Sequence, residues 1–138
     1  MTPKQYLSQA RYIDQRIEAR IAERDRLLES VTAARSPQLT GMPSGGGGHD
    51  WTNTVDKAAD ISAMIDADIR HLIQLKREIW DAIDAVEDVR YRTVLELYYR
   101  AGYTWEKIAE MMHYDLRYVY RLHGRALLRV KTKEEDRT

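Results

Sequence analysis

Arginines and tyrosines near the C-terminus of this 138-residue chain are the residues whose types and spacing best suit a binding chemistry. Arg117, Arg121 and Arg125 recur every four residues, with Tyr118 and Tyr120 between them. Arginine presents planar, forked donors that fit a guanine edge and also pair with phosphates. Tyrosine can pack on a thymine methyl group or donate to a phosphate. Residues four apart share one face of a helix, so this segment could contact a nucleic acid.

Two helices are predicted ahead of this segment. The first spans residues 89–100 and ends at Ala101-Gly102, where glycine can adopt the left-handed conformation that closes a helix. Thr104 is expected to cap the second, at residues 105–112, by accepting from its first free amides. The apolar residues of this short helix follow the three-and-four spacing of an amphipathic helix.

A third helix is predicted to carry the arginines. After a tight turn at His113-Tyr114, the carboxylate of Asp115 is expected to cap it, and it should extend to about Val130. Four residues should face inward: Val119, Leu122, Ala126 and Val130. Five should face outward: Arg117, Tyr118, Arg121, Arg125 and Arg129. Exposed arginines are often merely solvated, but here they follow the turn of a predicted helix-turn-helix, where a major-groove reader needs them.

The residues from Leu95 to Leu128 resemble a known family. The features that carry the resemblance are Tyr98-Tyr99, Gly102, Thr104-Trp105, Ile108-Ala109, Tyr114-Asp115, Arg117, Val119, Arg121-Leu122-His123 and Ala126-Leu127. This pattern is similar to the fourth conserved region of bacterial sigma factors, and most closely to phage and prophage regulators of the autolysin-regulator, or late-gene regulator, type. Asp115 and Leu116 depart from it, since sigma factors usually have Ser or Thr and then a basic residue there.

The resemblance implies which residues would face DNA. By matched position these are Leu116, Arg117, Tyr118, Tyr120 and Arg121. Together with residues suggested by the helix pattern, the candidate DNA-binding set is Thr104, Trp105, Leu116, Arg117, Tyr118, Tyr120, Arg121 and Arg125.

Charge is unevenly distributed along the chain. The total is zero, but residues 1–88 hold 11 Lys+Arg against 15 Asp+Glu, a net of −4. Residues 89–133 hold 10 against 4, a net of +6, and the remaining tail has a net of −2 from 1 against 3. The cations are therefore concentrated where a basic footprint on nucleic acid would be needed.

The N-terminal part is predicted to be a long antiparallel, coiled-coil-like hairpin of two helices. The first runs from Pro3 to about Arg35 with a narrow apolar stripe of Tyr6, Ala10, Ile13, Ile17, Ile21, Leu28 and Val31, interrupted by Arg24. The second runs from near Thr52 to about Val86 with a stripe of Ala58, Ser62, Ile65, Ile69, Leu72, Lys76, Ile79, Ile83 and Val86. Residues 36–50, with two prolines and five glycines, are predicted to be a flexible linker.

Such a hairpin would leave apolar side chains uncovered, among them Ile21, Ile73 and Trp80. Two hairpins could bury them in a four-helix bundle, so a homodimer is expected, with docking on RNA polymerase as the other use. The predicted regions are residues 1–88 for assembly, 89–131 for DNA binding and a disordered tail, 132–138.

Other classes of function are less well supported. The four histidines lack metal-ligand spacing, and the acidic residues Asp81, Asp84, Glu87 and Asp88 are more simply a solvated helix face. We expect no enzyme activity, cofactor or metal. The absence of cysteine and of an apolar run of about 20 residues favours a cytoplasmic protein that does not enter a membrane.

The chain is thus expected to be an all-α, sequence-specific DNA-binding transcriptional regulator of phage or prophage type that binds double-stranded DNA. Two alternatives remain: a DNA binder similar to the small subunit of phage DNA-packaging machines, and a helical adaptor that binds RNA polymerase or another protein.

Overall fold

The computed structural model describes residues 1–35 and 47–132, and in these residues the chain is all-α, as the sequence predicts. The helices are α1 (Pro3–Ser8), α2 (Ala10–Arg35), α3 (Gly47–Asp84), α4 (Val89–Leu95), α5 (Trp105–Met112) and α6 (Leu116–Leu127), and a π-helical segment, Glu96–Arg100, continues α4. Among the described helices, none is both long and apolar enough to span a membrane.

The first predicted helix is interrupted, because Gln9 separates α1 from α2. Gln9 keeps helical dihedral angles (φ −58°, ψ −34°), so only the regular hydrogen bonding is lost. The preceding Ser8 hydroxyl donates to the Lys4 carbonyl at 2.6 Å, a bond to the preceding turn that often distorts helices. At its other end α1 has a capping box, in which Thr2 and Gln5 satisfy each other's backbone amides.

The inward face of α2 differs from the predicted stripe. Ile13 is fully buried, whereas Ile21 and Leu28 are exposed by 36% and 49%. Arg24 and Leu27 are half-buried in their place. The Arg24 guanidinium donates to the Asp66 carboxylate of α3 at 2.8 Å, so the residue that interrupts the predicted stripe forms an ion pair with the neighbouring helix.

The helix α3 begins at Gly47 and ends at Asp84, whereas the sequence predicted a start near Thr52 and an end near Val86. Residues 47–50 of the predicted linker are therefore helical, and residues 36–46 lie outside the described residues. The predicted stripe of α3 is confirmed as its inward face. Six of its members are buried, namely Ala58, Ile65, Leu72, Ile79, Ile83 and Val86, and the other three are half-buried.

The chain divides into two compact units, Met1–Asp14 with Ile73–Thr138, and Gln15–Leu72. In the first unit, the Lys76 ammonium donates to Asp14 at 2.6 Å. In the second, the pair formed by Arg24 and Asp66 links α2 to α3. The predicted division into residues 1–88 and 89–131 groups the chain by function and stays a prediction.

The helix α4 starts at a cap that the sequence analysis did not assign. Asp88 has an extended backbone, and its carboxylate accepts from the amides of Arg90 and Tyr91. The π-helical segment that continues α4 ends at Arg100, as predicted for this helix, and Gly102 follows with a φ of +78°, in the left-handed region that favours glycine. At the C-terminal end, Thr132, which the sequence assigned to the tail, is buried with 6% exposure.

Candidate nucleic-acid interface

The predicted arginine surface lies on α6. Five exposed residues at a spacing of three and four form what we call the α6 outer face: Arg117, Tyr120, Arg121, Gly124 and Arg125. No acidic residue occurs between Leu116 and Leu127. In the part of the chain that the structure describes, the three arginines form no ion pair or hydrogen bond, and their side chains are exposed.

The opposite side of α6 is anchored in the first unit. Val119, Leu122 and Ala126 are completely buried, and Val130 just beyond the helix is 3% exposed. These are the four residues predicted to face inward, and that prediction is confirmed. Val119 packs with Ile108 and Ala109 of α5 in one apolar cluster. Burial of this stripe fixes which side of α6 faces solvent.

The turn between α5 and α6 is defined by His113 and Tyr114. His113 adopts a left-handed conformation (φ +59°), which is uncommon for a residue with a side chain. The Tyr114 amide donates to the Ala109 carbonyl, five residues back, at 3.0 Å, which is the characteristic hydrogen bond of a Schellman motif. The Tyr114 ring packs in the apolar cluster, as that ending commonly requires. The tight turn predicted here is confirmed.

The start of α6 differs in one respect from the prediction. Asp115 occupies the N-cap position with an extended backbone (φ −66°, ψ 144°), but its side chain makes no capping hydrogen bond. The expected acceptance from the first amides is therefore wrong. The helix also ends earlier than predicted, at Leu127 rather than about Val130. The Asp115 carboxylate, at the N-terminal end of α6, still interacts favourably with the helix dipole.

The two candidate residues at the start of α5 differ in exposure. Thr104 is exposed and accepts from the Lys107 amide at 3.2 Å, so the predicted cap is confirmed. Trp105 is half-buried, and its ring stacks on Tyr98 with centroids 3.8 Å apart and planes inclined by 14°. This packing gives Trp105 a structural role. Contact of either residue with DNA stays a prediction.

Two candidates on α6 are less exposed than the sequence predicted. Leu116 is half-buried and packs against the cluster formed by Ile108, Ala109 and Val119. Tyr118, expected to face outward, is half-buried, and its hydroxyl accepts from Arg90 at 3.0 Å. Its ring also meets Tyr114 edge-on at 4.8 Å. The accessible candidates on this helix are therefore Arg117, Tyr120, Arg121 and Arg125.

Arg11, which no sequence pattern marked, supports the α5 side of this candidate interface. Its guanidinium lies 4.0 Å from the centre of the Tyr98 ring, and it donates to the Tyr98 carbonyl at 3.1 Å. Tyr98 in turn stacks on Trp105. Arg11 and Tyr98 are 87 positions apart in the sequence, so no local pattern could reveal this contact.

A buried polar pair links α6 to the π-helical segment Glu96–Arg100. The Tyr99 hydroxyl and His123 Nε2 are 2.7 Å apart, and both residues are buried. Burial raises the pKa of Tyr99 to about 12, so its hydroxyl keeps its proton and donates. Burial, with a smaller contribution from the charge of Lys4, lowers the pKa of His123 to about 4, so the ring is neutral and accepts. His123 therefore has a packing role within this unit.

The acidic residues before α4 have other partners. Asp84 accepts from Arg100 at 3.2 Å, and Asp88 caps α4. In residues 1–35 and 47–132, no group of three or more His, Asp or Glu side chains could hold a metal ion.

The surface with the clearest binding chemistry in this unit is the α6 outer face. No family model matches this chain, and comparisons with curated proteins and with solved structures found no match.

Proposed function

We propose that the chain is a DNA-binding transcriptional regulator and that α6 is its recognition helix, in a helix-turn-helix formed with α5. The observation that supports this most directly is the α6 outer face, which holds three exposed arginines without an ion-pair partner among the described residues. An α-helix fits into the major groove, which is about 12 Å wide, and arginine is the side chain that most often reads guanine there.

The roles of the outer-face residues follow from their order along α6. Recognition helices contact base edges chiefly with their N-terminal residues. Arg117 and Arg121, in the first two turns, are therefore assigned to base edges, and Tyr120 to a thymine methyl group or a phosphate. Arg125 lies further along and is assigned to the phosphate backbone.

The distribution of charge supports the same function. Residues 89–133 carry a net charge of +6 in a chain whose total is zero. Each cation that meets a phosphate releases counterions, so binding should weaken steeply as salt increases. A protein with the same fold but without this concentration of cations would lack the general attraction that brings it to DNA.

The remaining helices are assigned to assembly. We propose that α2 and α3 pair as an antiparallel hairpin and that two chains associate through it, presenting two copies of α6 to adjacent half-sites. The ion pairs of Asp14 with Lys76 and of Arg24 with Asp66 support the pairing of α2 with α3. Regulators of this kind, including the phage and prophage type that the sequence resembles, would act in the cytoplasm and could also contact RNA polymerase.

The proposal is tested by replacing Arg117 and Arg121 together with alanine. DNA fragments retained by the purified wild-type protein supply the probe, and fluorescence anisotropy measures the dissociation constant. We expect the double variant to bind at least about thirtyfold more weakly, because each arginine that reads a guanine contributes roughly 1–3 kcal/mol. Helical content and thermal stability should be unchanged, since both side chains are exposed.

The matched control replaces two other exposed arginines, Arg16 and Arg26 of α2, with alanine. This control removes the same charge and should bind DNA much as the wild type does. Equal losses in both double variants would show that only net charge matters, and α6 would not be a reader. Unchanged binding by the Arg117 and Arg121 variant, or no binding by the wild type, would favour a helical adaptor that binds a protein.

A further inference from the structure

We infer that Gly124 marks the place where the phosphodiester backbone of duplex DNA comes closest to α6. This inference rests on the proposed function and makes it more specific, because it names a backbone contact that no arginine replacement would reveal.

The fold itself gives no reason for glycine at this position. Gly124 lies inside α6, is exposed and does not have a positive φ. A Cβ atom built on it would meet no heavy atom within 4 Å. Neither a turn nor internal packing therefore excludes a side chain.

Glycine in a helix interior is unfavourable compared with alanine, because it loses more backbone freedom on folding. An exposed helix position usually favours a good helix former. Gly124 weakens the helix and relieves no crowding within the chain. Its presence is explained if a partner outside the chain occupies the space that a side chain at this position would fill. Close approach of a backbone to a ligand is one of the ordinary uses of glycine.

The neighbours of Gly124 indicate the chemistry of that partner. Arg121 and Arg125 flank it on the α6 outer face, and neither has an ion-pair partner among the described residues. Tyr120 and Leu128, four residues to either side, are exposed by 46% and 85%. Gly124 is thus a gap between larger side chains, bordered by two cations. An anionic strand lying in that gap would receive a hydrogen bond from Arg125, which is assigned to the phosphate backbone, and would be attracted by the charge of Arg121 beside it, which is the chemistry of a DNA phosphate backbone.

The test adds a side chain at this position in the full-length protein, as Gly124→Ala and Gly124→Leu. Contacts with phosphates do not depend on base sequence, so a mixed-sequence duplex at low salt serves as the probe. We expect affinity to fall about tenfold for alanine and further for leucine, since a displaced helix lengthens the hydrogen bond from Arg125 to the phosphate. The melting temperature should stay the same or rise, because alanine and leucine favour the helix.

The control is Ala63→Leu, which adds bulk at an exposed position of α3 in the other unit and should leave affinity unchanged. Wild-type affinity in both Gly124 variants would overturn the inference while leaving the proposed function in place. So would an equal loss in the Ala63 variant. If the wild-type protein does not bind duplex DNA at all, the proposed function fails, and the inference fails with it.

Discussion

At the scale of single residues, the two glycines within residues 89–131 have opposite conformational requirements. Neither would place a Cβ within 4 Å of another heavy atom, so crowding does not distinguish them. Gly102 has a φ of +78° and Gly124 does not have a positive φ. We expect Gly102→Ala to lower the free energy of unfolding by about 1–2 kcal/mol, the usual cost of left-handed backbone in a residue with a Cβ.

Urea denaturation followed by circular dichroism measures this difference. Gly124→Ala is the control, because the same methyl group added in ordinary helical backbone should raise the free energy of unfolding by roughly 0.5–1 kcal/mol. A Gly102 variant as stable as the wild type would mean that the chain ends α4 in another way when glycine is absent.

The buried His123 should make stability depend on pH. Its pKa in the folded protein is lowered to about 4, whereas an unperturbed histidine titrates near 6.5. Between these values the unfolded chain binds a proton that the native state does not, so stability falls as pH falls from about 6.5 to about 4. We expect a loss on the order of 2–3 kcal/mol over that window and none from this group above it.

The measurement is urea unfolding at several pH values for the wild type and His123→Gln. Glutamine does not titrate, so the variant should lose less stability on acidification, although it should be less stable at pH 7 because the contact with Tyr99 is altered. His71 and His113 are exposed and present in both proteins, so their effects cancel in the comparison. Parallel pH profiles would show that His123 can be protonated without cost in the folded protein.

At the scale of helices, local chemistry predicted some boundaries and missed others. The bounds of α5 followed from Thr104 as a cap and a short amphipathic pattern, and the structure confirms them. Asp88 carried the same kind of signal, an acidic residue just before a helical run, and could have been assigned in the same way. The start of α3 at Gly47 opposes local propensity, since glycine disfavours helix, and no local rule would place it there.

The π-helical segment Glu96–Arg100 could not be predicted because its cause is tertiary. The Ala101 amide donates to the Glu96 carbonyl, five residues back, at 3.0 Å. Within the segment, Tyr98 stacks between Arg11 and Trp105 while its neighbour Tyr99 reaches His123. These contacts involve residues distant in sequence. Single π-helical turns often occur near functional sites, and here the segment leads into α5.

At the candidate site, too, local sequence patterns did not reveal tertiary contacts. The amphipathic pattern was enough to identify the inward face of α6 and hence the exposed positions of Arg117, Arg121 and Arg125, whereas the exposed Tyr120 was not among the residues predicted to face outward. It could not show that Tyr118 is engaged by Arg90, since that contact depends on how α4 packs against α6. Periodicity identifies the face of a helix, whereas the partners of a half-buried side chain depend on the neighbouring helices.

At the scale of the whole molecule, the proposed assembly depends on apolar side chains that remain uncovered in one chain. Among the described side chains of the unit Gln15–Leu72, four large apolar ones are exposed: Ile21 by 36%, Leu28 by 49%, Ile61 by 45% and Met64 by 68%. Scattered apolar residues are normal on a protein surface. Ile61 and Met64 are three residues apart on α3, however, and therefore lie on neighbouring positions of one helix face.

We expect the full-length chain to be a dimer and Ile61→Gln with Met64→Gln to shift it towards the monomer, because burial of these side chains would stabilise the association. Light scattering coupled to size-exclusion chromatography measures the mass across a concentration series. The matched control is Ala59→Gln with Ala63→Gln, two exposed positions of α3 whose spacing places them away from Ile61 and Met64, and it should remain dimeric.

A wild-type mass of one chain at every concentration would exclude this assembly, and α6 would then have to read a single half-site. If the Ile61→Gln, Met64→Gln variant is monomeric and binds DNA more weakly, the loss of affinity measures what dimerisation contributes, because α6 itself is unaltered. Two linked copies of α6 gain affinity because binding of one raises the effective concentration of the other at the DNA.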